Sequence, residues 1–288
     1  MTENSPADTL PARVGVLGGG RMGAGIAHAF LIEGVDVVVV ERDEAAADAA
    51  RGRVAEAVGK SIERGLAGSP EMYTSRLSVS TDYAAFGDRG LVVEAVPEDW
   101  DLKVSSLRAV EAELHQGAVL ASNTSSLSVT ELGAQLQRPE NFLGLHFFNP
   151  VPASALIEVV IAKHTRPDLV ETARAWVAAL GKTAVVVNDA PGFASSRLGV
   201  AIALEAMRMV EEGVASAEDI DNAMVLGYKH PTGPLKTTDI VGLDVRLGIA
   251  EYLASTLGPR FEPPAILREK VARGELGRKS GKGFYDWH

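Results

Sequence analysis

Short apolar runs of strand length alternate with longer amphipathic stretches through most of the chain, and the alternation stops near residue 188. Arg13–Leu17, Val35–Val40, Leu77–Ser80, Gly90–Val96 and Ala118–Ser122 read as strands, being short, bounded by turn residues and rich in valine or leucine. Between them, Ala24–Ile32, Asp43–Leu66 and Asp99–His115 have helical character. The stripe Ala50, Val54, Val58, Ile62, Leu66 recurs every fourth residue, and Ser128-Val-Thr-Glu131 is a capping-box pattern that starts a further helix. Strands alternating with helices predict a parallel, doubly wound sheet.

Phe142–Glu158 has a different texture. An apolar run ends at His146, Phe147-Phe148-Asn149-Pro150 breaks it, and a second run covers Leu156–Ile161. Proline is excluded from the interior of a central strand, so this is strand, sharp loop, strand. Thr183–Val187 is a last strand. From Pro191 onward the pattern is helical, with Phe193–Val210, a helix capped by Ser216, Leu243–Leu257 and Pro264–Arg273. The expected fold is therefore α/β over residues 1–188, followed by an all-α C-terminal domain over 189–288.

Composition narrows the chemistry. A hydrophobic fraction of 46% with 23% charged residues is ordinary for a globular enzyme, and 288 residues suffice for two domains. The net charge of −10 argues against nucleic acid or an anionic membrane as partner. With no cysteine and no closely spaced histidine pair, disulfides and thiolate chemistry are excluded and no metal site is expected. The polar first eleven residues lack the apolar core of a secretory signal, and no run is long enough to cross a bilayer, so a cytoplasmic protein with a short disordered start is expected.

Three patterns carry candidate chemistry. Strand Arg13–Leu17 runs into Gly18-Gly19-Gly20-Arg21-Met22-Gly23, a G-x-G-x-x-G sequence in strand–turn–helix context. The first glycine permits the tight turn, the second lets backbone approach a pyrophosphate, and the third lets helix and strand pack closely. This predicts a Rossmann-type dinucleotide-binding domain. Glu41, at the end of the second strand, can accept hydrogen bonds from both adenosine ribose hydroxyls. A 2′-phosphate about 4 Å away would meet repulsion of order 4 kcal/mol, which favours NAD over NADP, although Arg42 next door can soften this.

In the second pattern, neighbouring strands can bring His146 and Glu158 together; a carboxylate on one ring nitrogen fixes the tautomer and leaves the other nitrogen to act as a base. A core histidine satisfied by a carbonyl fits the stretch equally well. Third, Arg53, Lys60 and Arg64 share a face of the Asp43–Leu66 helix. A solvated face explains them, yet this is the one cationic stripe on an acidic chain.

GGGRMG (18–23), VVEAVPED (92–99), SNTSSL (122–127), GLHFFNPVP (144–152), PGF (191–193), VGLD (241–244) and KSGKGFYD (279–286) follow one another along the chain. Together they resemble the 3-hydroxyacyl-CoA dehydrogenase family, especially its stand-alone bacterial 3-hydroxybutyryl-CoA dehydrogenases. The resemblance implies His146 as catalytic base, oriented by Glu158, with Ser125 and Asn149 against substrate or cofactor. It puts NAD contacts on Gly18–Gly23, Glu41, Glu98, Lys103, Ser125 and Lys279. An acyl-CoA thioester is the implied substrate, and the cationic face of Arg53, Lys60 and Arg64 is a candidate contact for its phosphates. Lys103 can alternatively pair with Asp99 four residues earlier, and Ser125 can be a turn residue. The family pattern PGF-x-x-N-R is broken by Ser196, a shorter side chain with one polar group where asparagine has two. Ser196 therefore marks either a weakened substrate contact or a different substrate, such as a related 3-hydroxy acid or a carrier-protein thioester. A non-catalytic dinucleotide-binding protein is the reading from another class. The apolar-rich helical part suggests a homodimer through residues 189–288.

Overall fold

Valine-rich runs become the middle of an eight-stranded sheet in the computed structural model, which describes residues 9–287. The chain forms two compact units, Met1–Asp189 and Ala190–His288. In the first, β1 (Arg13–Leu17), β2 (Asp36–Val40), β3 (Leu77–Ser80), β4 (Leu91–Glu94), β5 (Val119–Ser122), β6 (Phe142–Phe147), β7 (Leu156–Ile161) and β8 (Thr183–Asn188) stand in the order β3-β2-β1-β4-β5-β6-β7-β8. Interspersed are α1 (Arg21–Ile32), α2 (Glu44–Glu63), α3 (Pro70–Thr74), α4 (Trp100–Glu113), α5 (Val129–Gly133) and α6 (Pro167–Ala179). The direction of strand addition reverses between β1 and β4, which opens a crevice beyond their carboxyl ends.

The sheet is mixed rather than wholly parallel as expected. β1 to β6 run parallel, but β7 is antiparallel to β6, and β8 runs parallel to β7. Only residues 148–155 join β6 to β7, fewer than the about a dozen that a parallel crossover needs. α3 and α6 are further departures, since no helix is expected over 70–74 or 167–179. α6 opens with Pro167 at its first position and buries Leu169, Ala173, Trp176 and Val177. The expected disordered start falls largely on residues 1–8, outside the described residues, while Leu10 belongs to the core.

The second unit is helical: α7 (Ser195–Glu211), α8 (Ala217–Asn222), α9 (Pro234–Val241), α10 (Leu243–Leu257) and α11 (Ala265–Ala272), with a π-helical turn at Ala223–Gly227. Val200, Leu204, Met207, Leu235, Leu243, Leu253, Phe261 and Leu267 are buried together. Its C-terminal segment folds onto Asp239, whose carboxylate accepts from the amides of Phe284 and Tyr285 at 2.8 and 2.9 Å and from the Trp287 indole at 2.9 Å. A side chain at Gly277 or Gly283 would run into Asp239. Gly277 therefore makes room for the Asp239 backbone, and Gly283 for its buried carboxylate.

Candidate functional site

The glycine loop leaves β1 at Gly18, whose φ of +86° is left-handed backbone. Gly23 lies in the first turn of α1, where a Cβ would strike the Gly18 carbonyl, and a Cβ at Gly20 would meet nothing within 4 Å. Gly23 is thus required by packing, and Gly20 leaves an open approach to the α1 N-terminus. The Gly19 amide donates to Glu41 Oε1 at 2.7 Å, and Arg53 Nη1 donates to the Gly19 carbonyl at 3.0 Å. A pocket of about 770 Å³ lies over this loop, lined among others by Leu17, Gly18, Glu41, Val96 and Leu102. An open helix N-terminus, close backbone and a carboxylate at the β2 end fit a dinucleotide.

Beyond β4 and β5 lies a network that sequence reading resolved only in part. Glu94 and Lys103 are fully buried and joined at 2.6 Å. Ser122 Oγ and the Val96 amide donate to the same carboxylate at 2.6 and 2.7 Å, and Lys103 also donates to the Val96 carbonyl at 3.2 Å. Lys103 is therefore not the partner of Asp99, which instead caps α4 through the Leu102 amide at 2.8 Å. A charged residue closing a valine strand was the available signal for Glu94.

Glu98 stands 3.3 Å from the Lys103 ammonium and gathers the Asn123–Ser126 loop. Its Oε1 accepts from Thr124 Oγ1 at 2.6 Å, from the Ser125 and Ser126 amides at 2.9 Å each, and from Ser126 Oγ at 2.9 Å. Burial acts to raise the Glu98 pKa, but the Lys103 charge and the hydrogen bonds from Thr124, Ser126 and Ser125 outweigh it and hold the carboxyl below the usual glutamate range. Asn123 ties the loop to β6, its Oδ1 accepting from the Phe147 amide at 2.8 Å.

His146 and Glu158 are directly opposed residues of the β6–β7 pair. Nδ1 of the buried His146 is 2.8 Å from Oε2 of the fully buried Glu158, and the Phe148 ring lies 4.5 Å from the imidazole, centroid to centroid. Asn149 follows at the start of a cis peptide to Pro150. With Pro150–Ala153 it lines a second pocket of about 510 Å³, whose other wall carries Arg21, Arg53, Lys60 and Arg64. The cationic stripe thus faces a cavity rather than open solvent alone, with Lys60 paired to Glu56.

Two expected site residues belong to the second unit. Ser196 sits in the first turn of α7, partly covered. Lys279 pairs with Asp244 at 2.6 Å. No described helix is long and apolar enough to cross a membrane.

Comparison with known proteins comes to the same family. The model described as 3-hydroxyacyl-CoA dehydrogenase, NAD binding domain, matches residues 13–190, and that for the family's C-terminal domain matches 192–287. A probable 3-hydroxybutyryl-CoA dehydrogenase of Deinococcus radiodurans is 40% identical over 277 residues, covering 96% of this chain and 100% of that protein. A 3-hydroxybutyryl-CoA dehydrogenase of Mycobacterium tuberculosis is 39% identical, covering 96% and 98% respectively. The crystal structure of (S)-3-hydroxybutyryl-CoA dehydrogenase from Ralstonia eutropha superposes with a TM-score of 0.92 at 36% identity, covering 97% of this chain and 100% of that one.

Proposed function

Because the chain belongs to the 3-hydroxyacyl-CoA dehydrogenase family and is an NAD-dependent oxidoreductase, we propose that it oxidises an (S)-3-hydroxyacyl-CoA, such as 3-hydroxybutyryl-CoA, to the 3-oxoacyl-CoA, reversibly. The observation that carries this reading is the buried 2.8 Å contact between His146 Nδ1 and Glu158 Oε2. With Nδ1–H donating to the carboxylate, the imidazole carries its lone pair on Nε2, the nitrogen needed by a base. His146 takes the proton of the C3 hydroxyl as the C3–H bond breaks, and Glu158 stabilises the imidazolium. NAD, when bound, supplies the hydride acceptor. In reverse, the imidazolium returns its proton to the ketone oxygen.

The Gly18–Gly23 loop, Glu41, Glu98, Lys103, Ser125 and Lys279 form the cofactor-binding set in this reading. Glu98 and Lys103 work largely by shaping the strand ends and the Ser125 loop. Ser125, Asn149 and Ser196 hold the substrate near its reacting carbon, and the Arg53, Lys60 and Arg64 pocket takes the CoA phosphates. The unit over 1–188 is assigned to NAD, and the helical unit over 189–288 to substrate contacts and a homodimer.

Loss of NADH absorbance tests the reading with acetoacetyl-CoA, with the corresponding free oxo acid, and with no substrate. Turnover with the thioester alone is expected. Turnover with the free acid would move the substrate to another 3-hydroxy acid, and NADH binding without turnover would make this a non-catalytic binder. His146→Ala should lower kcat by about 10²- to 10⁴-fold. Glu158→Gln should lose turnover while binding NADH as the parent does; unchanged turnover would remove Glu158 from the mechanism.

A further inference from the structure

His28 on α1 is 1% exposed, and its Nε2 lies 2.8 Å from Ser61 Oγ on α2. The other ring nitrogen, Nδ1, is buried without a hydrogen-bond partner. Burial, and then the charge on Lys182, lower the His28 pKa to about 4, so the ring is neutral near pH 7. A neutral imidazole has one donor nitrogen and one acceptor. A buried N–H without an acceptor is rarer in cores than a bare acceptor. The proton therefore sits on Nε2, and His28 donates to Ser61 Oγ.

Ser61 keeps a proton of its own to give. Hydroxyls inside helices can return to the carbonyl four residues back, as Ser105 and Thr172 do here at 2.8 and 2.9 Å. Ser61 does not: His28 is the one partner of its Oγ among the described residues. Ser61 also lines the pocket of about 510 Å³ beside the cationic face of α2. Glu56, the one acid in that lining, is held by Lys60. Arg53 gives one N–H to the Gly19 carbonyl at 3.0 Å, while Arg21 and Arg64 have no carboxylate partner among the described residues. Four cations attract an anion into this pocket. A hydroxyl held from behind by a buried ring adds a direction, which suits an oxygen-rich group such as phosphate.

We propose that Ser61, its hydroxyl held by His28, donates to a phosphate oxygen of the CoA moiety, so that the pocket selects nucleotide-bearing thioesters over thioesters of the bare pantetheine arm. This rests on the reading above that the pocket takes the CoA phosphates, and it adds the residue that orients them. His28 is a positioning residue, acting through Ser61. The pyrophosphate of NAD is the other phosphate source to be distinguished, because Arg21 and Arg53 line both pockets of this unit.

Steady-state kinetics with acetoacetyl-CoA and with acetoacetyl-pantetheine, each against NADH, test this. The native enzyme should show the lower KM for the CoA thioester. Ser61→Ala should raise that KM about tenfold, the loss of a hydrogen bond to a charged group. Its kcat, its KM for acetoacetyl-pantetheine and its KM for NADH should stay near the native values. His28→Leu should give part of the same rise, and His28→Gln, whose amide nitrogen can still donate to Ser61, should recover the native KM. An equal rise for both thioesters, no rise for the CoA thioester, or a rise in the KM for NADH instead overturns the proposal and leaves the dehydrogenase reading standing. A native KM in His28→Leu overturns the positioning role. If Ser61→Ala does not fold, Ser61→Cys, a weak donor of the same shape, carries the same comparison. Equal KM values for the two thioesters in the native enzyme would remove the phosphate reading of the pocket and the proposal with it. Absence of turnover with both is a different result, which removes the dehydrogenase reading itself.

Discussion

Lys103 holds its ammonium where water cannot follow, and among the described residues Glu94, Glu98 and the Val96 carbonyl compensate it. Cutting one side of a buried pair leaves the other charge stranded, which costs about 3–5 kcal/mol. Lys103→Met should lower the unfolding free energy by that amount in urea titration, and Glu94→Leu added to it should restore part of the loss. A loss under about 1 kcal/mol would mean that the Glu94 carboxylate is neutralised some other way. The site residues at this scale were legible in kind rather than in role. His146 and Glu158 were readable as a pair because a sharp loop between two apolar runs brings opposed positions together. That Glu98 spends an oxygen on the Ser125 and Ser126 amides was not, because which backbone N–H groups lack partners is settled only when the loop closes.

At the scale of elements, the turn between β1 and α1 depends on three glycines for three different reasons, and two of these can be separated. Gly23→Ala drives a methyl group into the Gly18 carbonyl, so stability itself should fall and α1 should shift. Gly20→Ala has open space and an extended backbone with negative φ that alanine can adopt, so its melting temperature should stay near the parent's while NADH affinity drops, because the methyl group occupies the approach to the helix end. Calorimetry with NADH titration distinguishes them; equal melting temperatures for both variants would contradict the packing argument. The strands themselves were legible, and Arg13–Leu17, Leu77–Ser80 and helix Leu243–Leu257 fall where the hydrophobic pattern puts them. The orientation of β7 was legible only in its short connection, since a strand buried on both faces shows the same apolar run in either direction.

For the whole molecule, two properties follow from what is covered. His28 is buried on α1 with Nε2 2.8 Å from Ser61 Oγ. Burial, and then the charge on Lys182, lower its pKa to about 4. A histidine whose folded pKa is depressed contributes stability that is fully present above its unfolded value, about 6.5, and is lost as pH falls towards 4, because the unfolded chain takes the proton first. About 3 kcal/mol should disappear across that window. The pH dependence of urea unfolding should flatten there in His28→Asn, and parallel curves for parent and variant would exclude His28 as the source. Of the large apolar side chains exposed among the described residues, Met72 and Leu102 lie in the first unit, whereas Leu198, Ile202, Val214, Leu226, Tyr228, Ile240, Val241 and Val245 lie in the second. The homodimer proposed above would cover side chains of this kind. Light scattering should give twice the chain mass of 30.3 kDa, and Leu198→Asp with Ile202→Asp should halve it; a native monomer would end the dimer reading.

Taken alone, the order of residues determined the glycine turn, the strand and helix periods, the change of texture near residue 188 and the candidate base with its carboxylate, because each depends on neighbours a few positions apart. Tertiary structure alone decided that Lys103 serves Glu94 rather than Asp99, that the cationic stripe of α2 borders a cavity, and that Arg246 is buried with its Nε unpartnered among the described residues. These depend on which groups lose water together. Burial is shared among segments far apart in sequence, and no local pattern records it.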